Sequence, residues 1–334
     1  MRQQQFRNKV SESSFTLPFM VMVTLLSCFL QHAFDSFYLW ITLMETGILV
    51  YVLMEWNSQC QLLRVRSRMI SSTVLAFVAA FPALQVSTWC WLPALFLVLS
   101  YFLAFKGYGQ LKPQGWVFYA FLFVSAGSLM FPPMLLAVPF MFFAFGHQLR
   151  ILSGKSVTAS VLGLVFPYWT YGLFCLVSGW NAVFWRESWG RALDFCLPDY
   201  SNVLPWQWIL FFMLVVLGFI GIVHFIRTSY NDKIRTRQFF YTLLALHFPL
   251  LFNAVWFPDC AMITLPLLAV NSAPFIAHFF VLARGRSLNF WFLFVLFVLV
   301  AVACFNAFGN LLPGMSSLQM PVVQWIHRYI PAWF

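Results

Sequence analysis

Three polar side chains, each inside a separate run of apolar residues, are the strongest candidates for chemistry in this sequence. They are Glu45, His247 and Asn271. Ionisable or amide side chains at membrane depth are costly to bury and often mark functional sites. Counting residues from the ends of the runs places the three at similar depth, so together they can relay protons or bind a polar headgroup. Alternatively, each side chain bonds a neighbouring helix and only holds the helices together.

The most polar stretch of the chain is 227–237, where four cations surround a single acid. Such a cluster attracts anionic lipid headgroups or the acidic tail of an envelope protein partner. A cytoplasmic location explains the charge, but it does not require Tyr230, Asn231 and Asp232, which are typical of a fixed turn. We expect this turn to set the angle between two helices, with Asp232 paired to Arg235 one helical turn away. The cations that it would present to a partner are Lys233, Arg235 and Arg237.

The sequence contains no motif for a known catalytic centre or nucleotide-binding loop. Its seven cysteines form no Cys-x-x-Cys pair, and no histidine follows them at metal-ligand spacing. We therefore predict no catalytic residue, no cofactor and no metal, and expect the cysteines to pack as small apolar residues. Cys90, Cys196 and Cys260 fall on the predicted outer side, where a disulfide can form.

Composition shows which elements must position these residues. The chain has 334 residues, of which 62% are hydrophobic and only 8% charged, whereas a soluble domain has about 25% charged residues. So few charges exclude a soluble globular protein, and so many apolar residues exclude a disordered chain. The net charge of +10 is divided into short clusters between apolar runs, so we expect the lipid bilayer and no nucleic acid as a partner.

The predicted fold class is all-α: a polytopic transmembrane helix bundle. A helix needs about 20 mostly apolar residues to cross the hydrocarbon core, and the runs predict about 11 spanning helices, within a range of roughly 10 to 12. The candidates are 15–31, 37–56, 69–88, 91–105, 115–131, 134–149, 157–179, 206–226, 238–257, 261–283 and 288–307.

Charge placement predicts the orientation of these helices. With eleven spans and a cytoplasmic N-terminus, all but three of the 19 Lys and Arg residues face the cytoplasm, as the positive-inside rule requires. The exceptions are Arg186, Arg191 and Arg328. The predicted organisation is a cytoplasmic segment at 1–14, a transmembrane domain at 15–307 and an amphipathic outer-face segment at 308–334. Within that last segment, 316–333 has helical apolar spacing, as does 182–196, which is also predicted to lie in the outer interface.

Prolines leave one part of this layout open. The short runs 115–131 and 134–149 meet at Phe131-Pro132-Pro133, and tandem prolines end a helix and force a reversal. The two runs are either short spanning helices or a re-entrant hairpin, and both alternatives return the chain to the cytoplasm. Other prolines are expected to break helices, as in transporters whose broken helices line a substrate site. These are Pro82, Pro139, Pro167, Pro249, Pro266 and Pro274.

Four groups of residues also give the sequence a family resemblance. They are 115–119 with 131–134; 149–153 with 162–163 and 167–169; 228–237; and 271–274 with 277–280. The sharpest pattern is Ser-Tyr-Asn-Asp-Lys-Ile-Arg at 229–235. Together they resemble an uncharacterised family of bacterial polytopic inner-membrane proteins, a domain of unknown function, over about residues 15–310. The resemblance implies an integral inner-membrane location and supplies no catalytic residue.

Two classes of function stay open at this point. The first is a non-enzymatic inner-membrane protein, either a transporter-like bundle or the scaffold of an envelope complex, which fits the absence of soluble domains. The alternative is a glycosyltransferase-like enzyme or a flippase that acts on a lipid-linked substrate and uses an outer acid as base or metal ligand. The first outer loop is only a few residues long, which disfavours the enzyme. The outer acids are Asp35, Glu187, Asp194, Asp199 and Asp259.

Overall fold

Apolar side chains surround most helices on all sides, which is typical of helices that lie within a protein core or a membrane. Large apolar residues accordingly remain on the surface of the bundle, and Leu176 and Val177 are more than four-fifths exposed. The computed structural model describes residues 10, 13, 15–32, 37–65, 67–81, 83–86, 89–178, 198–201, 203–283 and 287–308. Within these ranges all regular secondary structure is helical, which confirms the predicted all-α class.

The described helices correspond closely to the predicted apolar runs. They are α1 (Thr16–His32), α2 (Phe37–Cys60), α3 (Met69–Ala80), α4 (Ala83–Val86), α5 (Leu92–Gly107), α6 (Gln114–Met130), α7 (Ala137–His147), α8 (Gly154–Ser178), α9 (Pro205–Thr228), α10 (Ile234–Trp256), α11 (Ala261–Leu282) and α12 (Ser287–Phe308). Short 3-10 turns lie at Pro132–Leu136, Ser229–Asn231 and Pro258–Cys260. Within the described ranges, six helices are long and apolar enough to cross a membrane, namely α2, α8, α9, α10, α11 and α12.

The positive charge is concentrated at one end of the bundle. There the Thr236 hydroxyl donates to the Gln61 carbonyl at 3.4 Å, which joins the start of α10 to the end of α2. The rings of Tyr108 and Phe239 lie 5.6 Å apart and bring the connection after α5 to the same place. Every Lys and Arg that the structure describes lies in the connections at this end or in the adjoining helical turns. We call it the basic end.

The opposite end contains the proline hinge between α6 and α7. The Asn253 amide donates to the Pro133 carbonyl at 3.0 Å, and the rings of Phe131 and Phe257 lie 6.3 Å apart. Because α10 runs unbroken from the basic end to Trp256, about 33 Å at 1.5 Å per residue, the hinge lies a full helix length from the basic end.

Helix α11 lies at the centre of the bundle and contacts α3, α5, α9 and α10. Of its most apolar 18-residue window, 83% is buried, compared with 6% for α12. The crossing with α9 is close, because a Cβ atom on Gly221 would lie 2.6 Å from the backbone of Phe275. Glycine at such a crossing is typical of membrane helices that pack backbone to backbone.

The prediction of a single helix over 69–88 is wrong. Helix α3 ends at Ala80, and Phe81 is extended, with φ −122° and ψ 97°. Phe81 precedes a proline, and the residue before proline is sterically excluded from the helical region. The chain then forms only the short helix α4.

Most of the predicted proline breaks are also wrong. Pro167 lies inside α8, Pro249 inside α10, and Pro266 and Pro274 inside α11. Pro139 lies in the first turn of α7, where a missing N–H breaks no helical bond. An interior proline removes one backbone hydrogen bond, and contacts with neighbouring helices hold the rest of the helix in place.

Several predictions concern residues outside the described ranges. They are the amphipathic stretches 182–196 and 316–333, the outer-face segment from 309 onward, most of the N-terminal segment 1–14, and the residues Asp35, Arg186, Glu187, Arg191, Asp194, Cys196 and Arg328.

Candidate functional site

Asn271 is the centre of a buried hydrogen-bonded group in the middle of the bundle. Its Nδ2 atom donates to His247 Nδ1 at 3.0 Å and to the Leu243 carbonyl at 3.3 Å. Its Oδ1 atom accepts a hydrogen bond from the Tyr101 hydroxyl at 3.0 Å. The amide is therefore satisfied on both sides by α5 and α10, as a buried polar group must be. We call Tyr101, His247 and Asn271 the central network.

The structure brings His247 and Asn271 together but does not bring Glu45 to them. The Tyr101 ring lies 5.9 Å from the ring of Trp56 on α2. Glu45 precedes Trp56 by eleven residues, which is about 16 Å along the helix axis. The equal depths expected from residue counts thus do not hold, because the helices begin at different levels of the bundle.

Glu45 lies instead beside the start of α5. Its side chain is buried, and the backbone N–H groups of Trp89 and Trp91 approach the carboxylate. Neither carboxylate oxygen has a hydrogen bond of normal geometry among the described residues. The first N–H groups of a helix lack internal partners and carry partial positive charge, so a carboxylate is favoured there. This position suits Glu45 to cap α5 from a neighbouring helix.

A second polar group, which we call the basic-end network, contains Asp232, Arg64, His278 and His224. The Asp232 side chain is fully buried, and its Oδ1 atom lies 2.5 Å from Arg64 Nε. Its Oδ2 atom lies 3.2 Å from His278 Nε2. The other ring nitrogen of His278, Nδ1, lies 3.3 Å from His224 Nδ1. An acid, two imidazoles and a guanidinium are thus connected in one chain of contacts.

The network joins parts of the chain that are distant in sequence. The Asp232 backbone N–H donates to the Ser229 carbonyl at 2.9 Å, closing the turn that precedes α10. His224 comes from α9, His278 from α11, and Arg64 from the connection between α2 and α3. The rings of Phe225 and Phe240 lie 5.6 and 5.2 Å from the His278 ring. A carboxylate in such apolar surroundings is tolerated only when it is paired.

The predicted pair between Asp232 and Arg235 is not formed. The carboxylate contacts Arg64 and His278, and the Arg235 guanidinium lies 5.3 Å from the Phe239 ring centroid on the surface of α10. The other residues predicted to face a partner are outside: Tyr230 is 75% exposed, Asn231, Lys233 and Arg235 are exposed, and Arg237 is half-buried. The turn thus points its acid inward and most of its remaining side chains outward.

Sequence reasoning gave His278 and His224 no role of their own. The only sequence signal for the network was Asp232 itself, an acid in a loop where the positive-inside rule calls only for cations.

The outer acids that the structure describes do not form a comparable site. The backbone N–H of Ser201 donates to Asp199 Oδ1 at 2.9 Å and lowers the pKa of that exposed carboxyl. Asp259 is also exposed. Across the described part of the chain, no group of three His, Cys, Asp or Glu residues is arranged to hold a metal ion.

No protein-family profile matches the chain, and no significant similarity to a curated protein or a solved structure was found. The chemistry of the site therefore follows from its geometry. A polar amide and a buried acid with two imidazoles, all in contact with one central helix, are suited to bind a small polar solute or a proton.

Proposed function

We propose that this chain is a transporter-like protein of the bacterial inner membrane in which α11 lines the route of a small polar solute or ion. One observation carries the proposal. Of the six long apolar helices, α11 is the most enclosed, yet it supplies Asn271 to the central network and His278 to the basic-end network. These residues lie seven positions apart, about 10 Å along the axis. A helix that served only as core would be more stable with apolar residues there.

Unpaired polar atoms along α11 support the same function. The hydroxyls of Ser272 and Thr264 are buried and have no hydrogen-bond partner among the described residues. Pro266 and Pro274 have no N–H, so two carbonyls one turn earlier in α11 lose their helical donors. Buried polar groups normally find partners, and water or a polar solute that passes along α11 would provide them.

We further infer eleven spans, with the N-terminus in the cytoplasm and the C-terminus outside. Support comes from the described cations, which all lie at the basic end, and from connections that alternate between the two ends. The proline hinge lies level with the last turn of α10, which favours two spanning helices over a re-entrant hairpin at 115–149. The resemblance to an uncharacterised bacterial family supports the inner membrane as the location.

Aqueous access to Ser272 tests the transport function without knowledge of the substrate. Ser272 would be replaced by Cys in a variant without native cysteines, and intact cells treated with a small, membrane-permeant thiol reagent that reacts only with hydrated thiols. We expect labelling, because a solute route admits water. The matched control is Ser125→Cys, since Ser125 is equally buried but bonds the Leu164 carbonyl where α6 packs on α8.

The scaffold alternative predicts a different result. A bundle that only supports other envelope proteins has no need for water around α11. If Ser272→Cys reacts no faster than Ser125→Cys, the transport function is wrong and a scaffold is favoured.

A further inference from the structure

We propose that His224 and His278 are a proton-binding pair, with Asp232 as its buried counter-charge, and that the bound proton is the coupling ion of transport. The coupling role rests on the proposed function, whereas proton binding by the pair does not.

The contacts of His278 define where protons lie on the two rings. Asp232 is paired with Arg64 and accepts from His278, so His278 Nε2 carries a hydrogen. The two Nδ1 atoms, 3.3 Å apart, cannot both be bare or both be protonated in one hydrogen bond, so one hydrogen lies between them. When both rings are neutral, His224 donates this hydrogen and His278 accepts it.

Proton uptake at His224 allows a balanced transfer to His278. A proton added to His224 Nε2 gives an imidazolium, whose Nδ1–H bond then breaks while an N–H bond forms at His278 Nδ1. The product is a neutral His224 and a His278 imidazolium that donates to Asp232 through Nε2. No electrons are exchanged, and one positive charge moves from the half-buried His224 to the fully buried His278.

The groups around the pair come from the elements that pack against it. The turn before α10 contributes Asp232, whose side chain is fully buried 3.2 Å from His278. The α2–α3 connection contributes Arg64, which contacts the other carboxylate oxygen. Helix α9 contributes His224, while α10 contributes the apolar Phe240 ring. The Asp232 carboxylate therefore faces the ring that receives the transferred proton.

Protonation also changes how Arg64 is held. With neutral imidazoles, Arg64 and Asp232 form a neutral ion pair, whereas a His278 imidazolium adds a second cation on the same carboxylate. The two cations repel each other, and the Arg64 side chain, which is 36% exposed, can move into water. The pair can therefore release the α2–α3 connection from the turn before α10, which is the kind of movement that opens a route at the basic end.

Magnetic resonance of nitrogen-15-labelled histidine, with the protein in lipid nanodiscs, tests proton binding directly. Signals of the pair are assigned by their loss in His224→Gln and His278→Gln, and the exposed His147 is the internal control. Between about pH 8 and pH 5, the range in which histidines titrate, we expect the signals of the two rings to change together in one step. In Asp232→Asn, which removes the buried counter-charge, the two rings should no longer change together in this step, while the His147 signal should be the same as in the wild type.

Two results would overturn the proton site: independent titration of the two rings, or a step that Asp232→Asn leaves in place. If Asp232→Asn does not fold, His224→Gln decides, because the proposal requires that loss of the second imidazole changes the titration of His278.

The coupling role is tested by labelling Ser272→Cys at both pH values, with and without His278→Gln. The reactivity of the thiol itself depends on pH. Any additional effect of pH on the labelling of Ser272→Cys should disappear when His278→Gln is also present. Labelling that is identical in the two backgrounds refutes the coupling role, and no labelling with normal titration refutes transport but leaves the proton site.

Discussion

Replacing Asp232 by Asn should destabilise the bundle by about 3 kcal/mol, because removing one partner of a buried ion pair leaves the other charge uncompensated. The Asp232 side chain is fully buried and contacts Arg64 at 2.5 Å and His278 at 3.2 Å. Such losses are about 3–5 kcal/mol. We expect the lower end of this range, since the Arg64 side chain is 36% exposed and its charge can return to water.

Replacing Arg64 by Ala should cost less, about 1–2 kcal/mol. The Asp232 carboxylate keeps its contact with His278 in this variant and so is not left without a partner. The loss of stability in the double variant should be about 1–2 kcal/mol smaller than the sum of the two single losses, because the two side chains are in direct contact.

The free energy of unfolding would be measured by detergent-induced denaturation in mixed micelles, with wild type, both single variants and the double variant compared. Arg235→Ala is the matched control: it removes a cation from the same turn region, but the Arg235 guanidinium lies over Phe239. Coupling to Asp232 should therefore be absent for Arg235. Additive effects of Arg64 and Asp232, or equal coupling to Arg235, would refute the buried ion pair.

Three further predictions concern packing, Glu45 and orientation. Gly221→Ala should lower the free energy of unfolding by about 1–3 kcal/mol, because its Cβ atom would lie 2.6 Å from the α11 backbone. The control is Gly172→Ala, whose Cβ atom would have nothing within 4 Å. This variant should be neutral or stabilising in the same denaturation assay. Glu45→Gln keeps an oxygen acceptor at the start of α5, so it should lower the free energy of unfolding by only about 1 kcal/mol. The variant should also fully complement a deletion strain. Loss of complementation at unchanged stability would show that capping α5 is not the main role of Glu45. With an impermeant thiol reagent on intact cells, Ser201→Cys should react and Tyr230→Cys should not, and the reverse pattern would contradict the N-in, C-out orientation.

The helices themselves could be predicted because apolar runs bounded by charge, glycine and proline define them locally. The break after Phe81 shows one limit, since the run 69–88 looks continuous in hydrophobicity while the backbone before proline cannot stay helical. Pro249 and Pro274 show the opposite limit. Local rules predict a break at each, but contacts made by α10 and α11 with distant helices keep both helices continuous.

The candidate site was less predictable, because its contacts join residues far apart in sequence. Asp232 and His278 are 46 residues apart, and no spacing rule relates them. Local reasoning therefore paired Asp232 with Arg235, the cation nearest in helical spacing. The contact between His247 and Asn271 was within reach because both lie deep in apolar runs, whereas Glu45 was misplaced because depth counted from helix ends assumes that all helices begin at the same level.

The central claim, that α11 lines a solute route, is tested most directly by blocking that route at one atom. Ser272→Cys, as the only cysteine in the chain, would be modified with a small thiol reagent in a strain that depends on this protein for growth. We predict that the unmodified variant complements the deletion, and that modification abolishes complementation while the protein remains folded and in the membrane. Full complementation after complete modification of Ser272→Cys would contradict the claim.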